Sequence, residues 1–186
     1  MGAGHTVTRV VSLRPLIPAD LDRLWAARTA WGERWTDTSD GAREKLRERI
    51  AVSGRFENGE VLLGIVVDGE LAGEIQGRQP EMGLPTGVFE IGIEVYDPAD
   101  RGNGIGRQAL GQFLAHLFQE EDAHRVQLTT DVDNVAMRRV AERLGFNEEG
   151  TLRGFMPTRE GPRDYVMYGM TRDDYERVKD GWTSTG

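Results

Sequence analysis

The chain has 186 residues, 38% hydrophobic and 29% charged, with a formal net charge of −8. That length suits one domain with its own core, and the composition excludes a fibrous or wholly disordered polymer. The lack of cysteine excludes disulfides, thiolate nucleophiles and iron–sulfur clusters, and the acidic balance gives no reason to expect nucleic acid as a partner while mildly favouring amines.

In chain order, residues 10–16 read as a strand, and Pro18-Ala19-Asp20 opens a helix with Leu21, Leu24 and Trp25 on one face. A second helix is predicted over 41–52. Strands 61–67 and 70–77 flank Asp68-Gly69, a pair suited to a two-residue hairpin turn. Residues 77–87, with Pro80, Gly83 and Pro85, read as a mobile loop. In strand 88–96, Ile91, Ile93 and Val95 alternate with Glu90, Gly92 and Glu94. The period then becomes helical, with Ile105, Ala109, Leu110, Phe113, Leu114, Leu117 and Phe118 on one stripe. A strand over 125–130 and a helix over 134–144, stopped by Gly145, come next. Strands 146–156 and 163–170 form a hairpin, 172–179 a short helix, and 181–186 a frayed tail. One domain over 1–180 results.

No run approaches the ~20 apolar residues of a membrane helix. The start, MGAGHTVTRV, lacks the basic and apolar regions of a secretion signal, so no membrane partner and a cytoplasmic location are expected. His5, His116 and His124 fall at no metal-ligating spacing, so no metal is expected; His116 and His124 read as structural or exposed.

The most informative stretch is Arg101-Gly102-Asn103-Gly104-Ile105-Gly106, between a strand and an amphipathic helix. Its three glycines let backbone N–H groups turn inward beside a helix N-terminus, which describes an anion site; the other reading is a plain strand-to-helix turn, which needs one glycine rather than three. A Walker loop would need Gly-Lys-Ser/Thr where Gly106-Arg107-Gln108 stands. A dinucleotide fingerprint would need βαβ alternation, which the preceding hairpin does not supply.

This stretch resembles the Arg/Gln-x-x-Gly-x-Gly/Ala signature of the GNAT acyltransferase superfamily. The run Asn134-Val-Ala-Met-Arg-Arg-Val-Ala-Glu-Arg-Leu-Gly-Phe146 resembles a second motif of that family. Glu148-Glu149-Gly150-Thr-Leu-Arg153 and Arg163-Asp164-Tyr165-Val-Met-Tyr168 are similar to the tail of its RimJ/RimL-like branch. The resemblance implies an α/β (α+β) fold: a mixed, mostly antiparallel sheet with helices on both faces, splayed open between the strand ending at Tyr96 and strand 125–130. It implies acetyl-CoA in that gap. Arg101, Gly102, Asn103, Gly104, Ile105 and Gly106 would then hold the pyrophosphate, and Val95 and Tyr96 would offer main-chain groups to the pantetheine and thioester. Asn134 has two compatible readings, an N-cap or a contact to the pantetheine arm. Pairing into a homodimer is also implied, with the apolar strand 166–170 as the feature suited to an interface.

The implied activity is acetyl transfer to a primary amine, on a small molecule or a peptide. An alkyl-ammonium of pKa ~10.4 is almost wholly protonated at neutral pH, so a carboxylate near the amine has a task. Glu90 and Glu94, on one face of the strand before the loop, are the candidates; the other reading is that this face is simply wet. In related polyamine acetyltransferases an acidic residue near the position of Glu90 faces the amine. Where many members of the family carry a tyrosine acid, this chain has Ala141, and where some relatives have a serine it has Met137. Tyr165, Tyr168 or water remain as proton donors. Trp25, Trp31 and Trp35 can form an aromatic wall of the acceptor pocket or pack in the core. Two other functions fit the same motifs, a CoA-binding module without catalysis and the same scaffold using another acyl-CoA.

Overall fold

In the computed structural model, which describes residues 9–30, 39–79, 83–158 and 160–182, Asp68 and Gly69 both take positive φ, 51° and 91°. That geometry matches the twist of a hairpin, and it joins β2 (Glu60–Val67) to β3 (Glu70–Arg78). β1 (Val11–Arg14) pairs antiparallel outside β2, and β4 (Val88–Val95) antiparallel beside β3. β5 (Arg125–Asp131) runs parallel to β4. Next to it lie β7 (Arg163–Thr171) and, at the far edge, β6 (Asn147–Met156), giving the order β1-β2-β3-β4-β5-β7-β6. The expected mixed, mostly antiparallel sheet forms.

Helices cover both faces because each strand alternates its side chains. α3 (Ile105–Gln119) buries its whole predicted stripe. It packs with α4 (Val135–Leu144) and α5 (Arg172–Val178) over Phe89, Ile91, Val126, Leu128, Tyr168 and Met170. Each fully buried Leu or Phe there contributes roughly 1.5–3 kcal/mol, so α3 clamps both halves of the sheet. On the other face α1 (Leu21–Ala30) and α2 (Asp40–Ala51) pack Leu24, Leu46 and Ile50 against Leu62 and Leu71.

β4 and β5 are in register only at Val88↔Arg125, Phe89↔Val126 and Glu90↔Gln127. Beyond Glu90 the two strands part, while β4 stays paired to β3 through Val95. The gap expected from the resemblance is therefore present.

Three local expectations change. Gly77, which the sequence places both at the end of a strand and at the start of a loop, is a strand residue opposite Ile91; an added Cβ would press on Leu117 and Phe113 at 3.2–3.3 Å, so it is a glycine for close packing. Trp182, expected in the frayed tail, sits edge-on to Tyr175 with ring centroids 5.6 Å apart. Of the apolar residues of β7, Val166, Tyr168 and Met170 are buried in the chain's own core rather than exposed, and β6 covers that strand's edge. His5, Trp31, Trp35, Pro80 and residues 183–186 lie outside the described residues.

Candidate acyl-transfer site

The stretch between β4 and α3 is a chain of small turns. Asp97 Oδ1 accepts from the Ala99 N–H at 2.8 Å, and Asn103 Nδ2 donates to the Ala99 carbonyl at 3.1 Å. Gly102 and Gly104 follow with φ of 79° and 82°, a conformation that strains any residue with a Cβ. Gly104 is the N-cap of α3 and brings no side-chain bond to it. The first N–H to return to it is that of Gln108, at 3.0 Å. The N–H groups of Ile105 and Gly106 thus lie in the first turn, ahead of the intrahelical ladder. A Cβ added at Gly102 or Gly106 would meet open space, and at Gly104 only Gln108 Nε2, at 3.8 Å. An open, glycine-lined helix end is what a pyrophosphate requires, so these residues fit the group that the motif implies. Ile105 contributes main chain alone, because its side chain is buried in the core.

The end of β4 carries a division of labour that the sequence does not display. The Tyr96 N–H donates to the Ala72 carbonyl at 2.9 Å, so it belongs to the β3 ladder rather than the gap. The alternation of an antiparallel ladder then turns the main-chain groups of Val95 and Ile93 toward β5, where the strands have parted. The Val95 carbonyl accepts from Arg101 Nε at 3.3 Å and from its terminal nitrogen at 3.1 Å. Arg101 therefore folds back across the mouth of the gap.

Across the gap, the turn from β5 into α4 is braced by Arg163, whose guanidinium reaches Asp131 at 2.5 and 2.8 Å and Asp133 at 2.7 Å. Asn134 follows and caps α4, its Oδ1 accepting from the Met137 N–H at 3.2 Å. Its side chain is exposed, which leaves the amide nitrogen toward solvent at the same helix end.

Glu90 and Glu94 share a face with α1 and α2, yet their surroundings differ. Glu90, at the last β4–β5 pair, forms an ion pair with Arg78 at 3.1 Å. Glu94 lies beyond it, beside the open part of the gap, with Oε1 buried and accepting no hydrogen bond among the described residues. Burial first, and the nearby Glu74 second, raise its proton affinity above the usual carboxylate range, with Arg28 and Arg101 pulling the other way. Glu74 is Glu94's direct partner on β3 and is only 8% exposed. Its Oε1 accepts from Arg28 at 2.8 Å, and Tyr96 Oη donates to its Oε2 at 3.5 Å. Burial and the two carboxylates push the Tyr96 phenol far above its ordinary range, so it stays protonated.

The expected proton donors are placed less usefully. At the two positions where relatives carry an acid, Ala141 is buried on the inner face of α4 and Met137 packs against the core. The Tyr168 hydroxyl accepts from Arg138 Nε at 3.4 Å and faces Glu142 and Glu148 at 3.3 Å, on the α4 side. Tyr165 stands opposite Asp131 at the end of β5 and packs on Phe155. His116 stacks on Phe113, His124 joins a backbone network with Gly87, and Trp25 lies beside the α1–α2 core under Arg43.

Glu74, Arg28 and Gly73 are absent from the sequence reading. A Cβ at Gly73 would overlap the Glu94 carbonyl oxygen, so this glycine lets β3 close up under Glu94. The available signal was a charge inside Leu71-Ala72-Gly73-Glu74-Ile75, a run otherwise fit for burial.

Residues 11–147 match the family model described as an acetyltransferase (GNAT) domain. "Putative ribosomal N-acetyltransferase YdaF" of Bacillus subtilis (strain 168) is 26% identical over 181 residues, covering 93% of this chain and 97% of that protein. The SPbeta prophage-derived uncharacterized N-acetyltransferase YokL of the same organism is 32% identical over 91 residues, 49% of this chain and 51% of YokL; the chain thus spans about half of that relative. Among solved structures, Mycobacterium smegmatis RimJ in complex with CoA-disulfide superposes with a TM-score of 0.72 at 24% identity, over 92% of this chain and 89% of that one. Mutant forms of the spermidine/spermine N-acetyltransferase SpeG from Vibrio cholerae give 0.75 at 20% identity, over 90% and 96%. These two likenesses are of fold. With its glycine-lined helix end, its parted strands and a family match over most of its length, the chain belongs to the GNAT acetyltransferase family.

Proposed function

We propose that this chain transfers the acetyl group of acetyl-CoA to a primary amine, by direct attack of the amine on the thioester. The observation that carries the reading is the buried, unbonded Oε1 of Glu94 beside a strand gap that leads to a glycine-lined helix end. When bound, acetyl-CoA supplies an acyl carbon activated by its thioester.

The chain's own residues supply the rest. Backbone N–H groups of the 101–106 loop and the first turn of α3 hold the pyrophosphate, with Arg101 adding charge once it leaves the Val95 carbonyl. Main-chain groups of Ile93 and Val95 bond the pantetheine amides like a neighbouring strand, and Asn134 borders the same arm. Glu94 takes the proton of the incoming ammonium; Glu90, already paired with Arg78, stays at the rim. Nitrogen gains the acyl carbon as the carbon–sulfur bond breaks. The second proton lost at nitrogen balances the departing thiolate through solvent, which suits a site where Ala141 and Met137 offer no acid. A thiol of pKa ~8.5 tolerates this. A cytoplasmic location goes with the reading: a thioester bearing several phosphate charges does not cross a bilayer, so its consumer shares its compartment.

Thiol release from acetyl-CoA in the presence of an amine panel, with products read by mass spectrometry, tests the proposal and names the acceptor. CoA binding without turnover on any amine would replace it with a non-catalytic CoA-binding module. Turnover retained in full by Glu94→Gln would remove Glu94 from the chemistry.

A further inference from the structure

Glu74 is a carboxylate in a place that ordinarily rejects one. It projects from a central strand, is 8% exposed, and has both oxygens engaged, one by Arg28 and the other by the Tyr96 hydroxyl. A buried ion pair of this kind adds little stability compared with apolar residues of the same volume, because desolvation of the two charges offsets their attraction. Packing alone does not call for it. Its register gives it another use. Glu74 faces Glu94 directly across the β3–β4 ladder, and Glu94 Oε1 is buried without a donor.

We propose that Glu74 and Arg28 are positioning residues for Glu94. The guanidinium is bonded to Glu74, Glu94 forms no ion pair among the described residues, and the carboxylate opposite keeps it receptive to the proton of the acceptor ammonium. The inference rests on Glu94 being the proton acceptor. The charged and titratable groups around Glu94 are Glu74 from β3, Arg28 from α1, Tyr96 from the end of β4 and Arg101 from the loop before α3. Tyr96 is neutral, and Arg101 is bonded to the Val95 carbonyl. The proton affinity of Glu94 is therefore raised by burial and by Glu74, and lowered by Arg28 and Arg101.

The two residues act with opposite sign, which a merely structural role would not do. In protein labelled with ¹³C at glutamate side-chain carboxyls, without CoA or acceptor, the Glu94 resonance is identified by its loss in Glu94→Gln and followed against pH. Glu74→Gln should move its midpoint down by roughly one pH unit, and Arg28→Gln should move it up. The acid limb of kcat/KM on a verified amine should follow in the same directions, while calorimetric CoA affinity stays within about twofold. Glu74→Asp should restore most of the wild-type midpoint.

An unchanged Glu94 midpoint in both variants overturns the inference even if Glu94→Gln is inactive. Shifts of the same sign also overturn it, because they report general loosening. If the midpoints move as expected but Glu94→Gln keeps full turnover, the reading of Glu94 as proton acceptor falls instead. Should Glu74→Gln fail to fold, Arg28→Gln and Glu74→Asp carry the same test.

Discussion

Glu94 stands directly opposite Glu74 in the β3–β4 ladder, and the Arg28 guanidinium is bonded to Glu74. This asymmetry ties activity to a stability cost. Because the proton affinity of Glu94 is raised in the folded state, that state binds more protons than the unfolded chain between the ordinary carboxylate value and the raised one. Stability at this residue is therefore full below the ordinary value and is lost as pH rises through the window. Glu94→Gln should lower turnover by ~10²–10⁴-fold near neutrality, with the deficit shrinking as pH approaches the acceptor's own pKa. The same variant should melt higher than the parent by a few degrees, about 2–4 °C per kcal/mol in a chain of this size. Scanning calorimetry at two pH values beside the rate assay checks both halves.

Gly104→Val should weaken CoA binding far more than folding. The residue sits at φ 82° with open space around it, so a branched side chain strains the cap and stands where phosphate oxygens would lie. Loss of one or two charge-assisted bonds of ~1.5–3 kcal/mol each corresponds to roughly ten- to several-hundred-fold in affinity. Calorimetric titration with CoA reads it, and equal affinity in the variant would remove the loop from phosphate binding.

Gly73→Ala and Gly77→Ala should differ although both lie in β3. At Gly73 the new methyl overlaps the rigid Glu94 carbonyl, whereas at Gly77 it meets the movable tips of Leu117 and Phe113. We expect a cost of roughly 2–4 kcal/mol for the first and about 1 kcal/mol for the second in urea unfolding. Only the first should also lower turnover, since it displaces β4 at Glu94.

On the acid side of the pH range the relevant group is Asp20. Its bonds to Arg14 at 2.7 and 2.9 Å, and then to the Ile17 N–H, hold its carboxyl below the usual range. A depressed carboxyl stabilises fully above its unfolded value and loses that contribution as pH falls through the folded one. Asp20→Asn should thus cost about 1–3 kcal/mol at neutral pH and flatten the decline of stability below about pH 4. Thermal melts between pH 3 and 7 would show both; parallel curves for the two proteins would contradict it.

The parts of this molecule written in the sequence are those governed by period and backbone conformation. The α3 stripe buries the predicted residues, and Asp68-Gly69 and Gly145 take the positive φ that their residue types favour. The loop motif and Asn134 follow the same logic, because a helix end needs particular residues at particular offsets. Glu74 was not legible because its meaning comes from β3–β4 register and from an arginine 46 positions away, neither of which leaves a periodic trace. Nor could alternation say which of Glu90 and Glu94 matters: both lie on one face, and an ion pair to Arg78 separates them. Gly77 was read both as a strand end and as a loop start, since a glycine chosen for packing under Phe113 looks like one chosen for a turn.

The brevity of the β4–β5 junction also bears on how the molecule comes apart. With three pairs in register at that seam, the strands before and after it behave as two plates bolted together by α3. Ladder bonds within each plate resist opening together, while the seam offers little resistance of its own. An extended ligand seated there acts as a rivet, and its binding energy adds to cohesion by RT ln(1 + [L]/Kd). In hydrogen exchange, amides of β5 and β7 should then open as a group separate from those of β2 and β3, and CoA should merge the two groups into one.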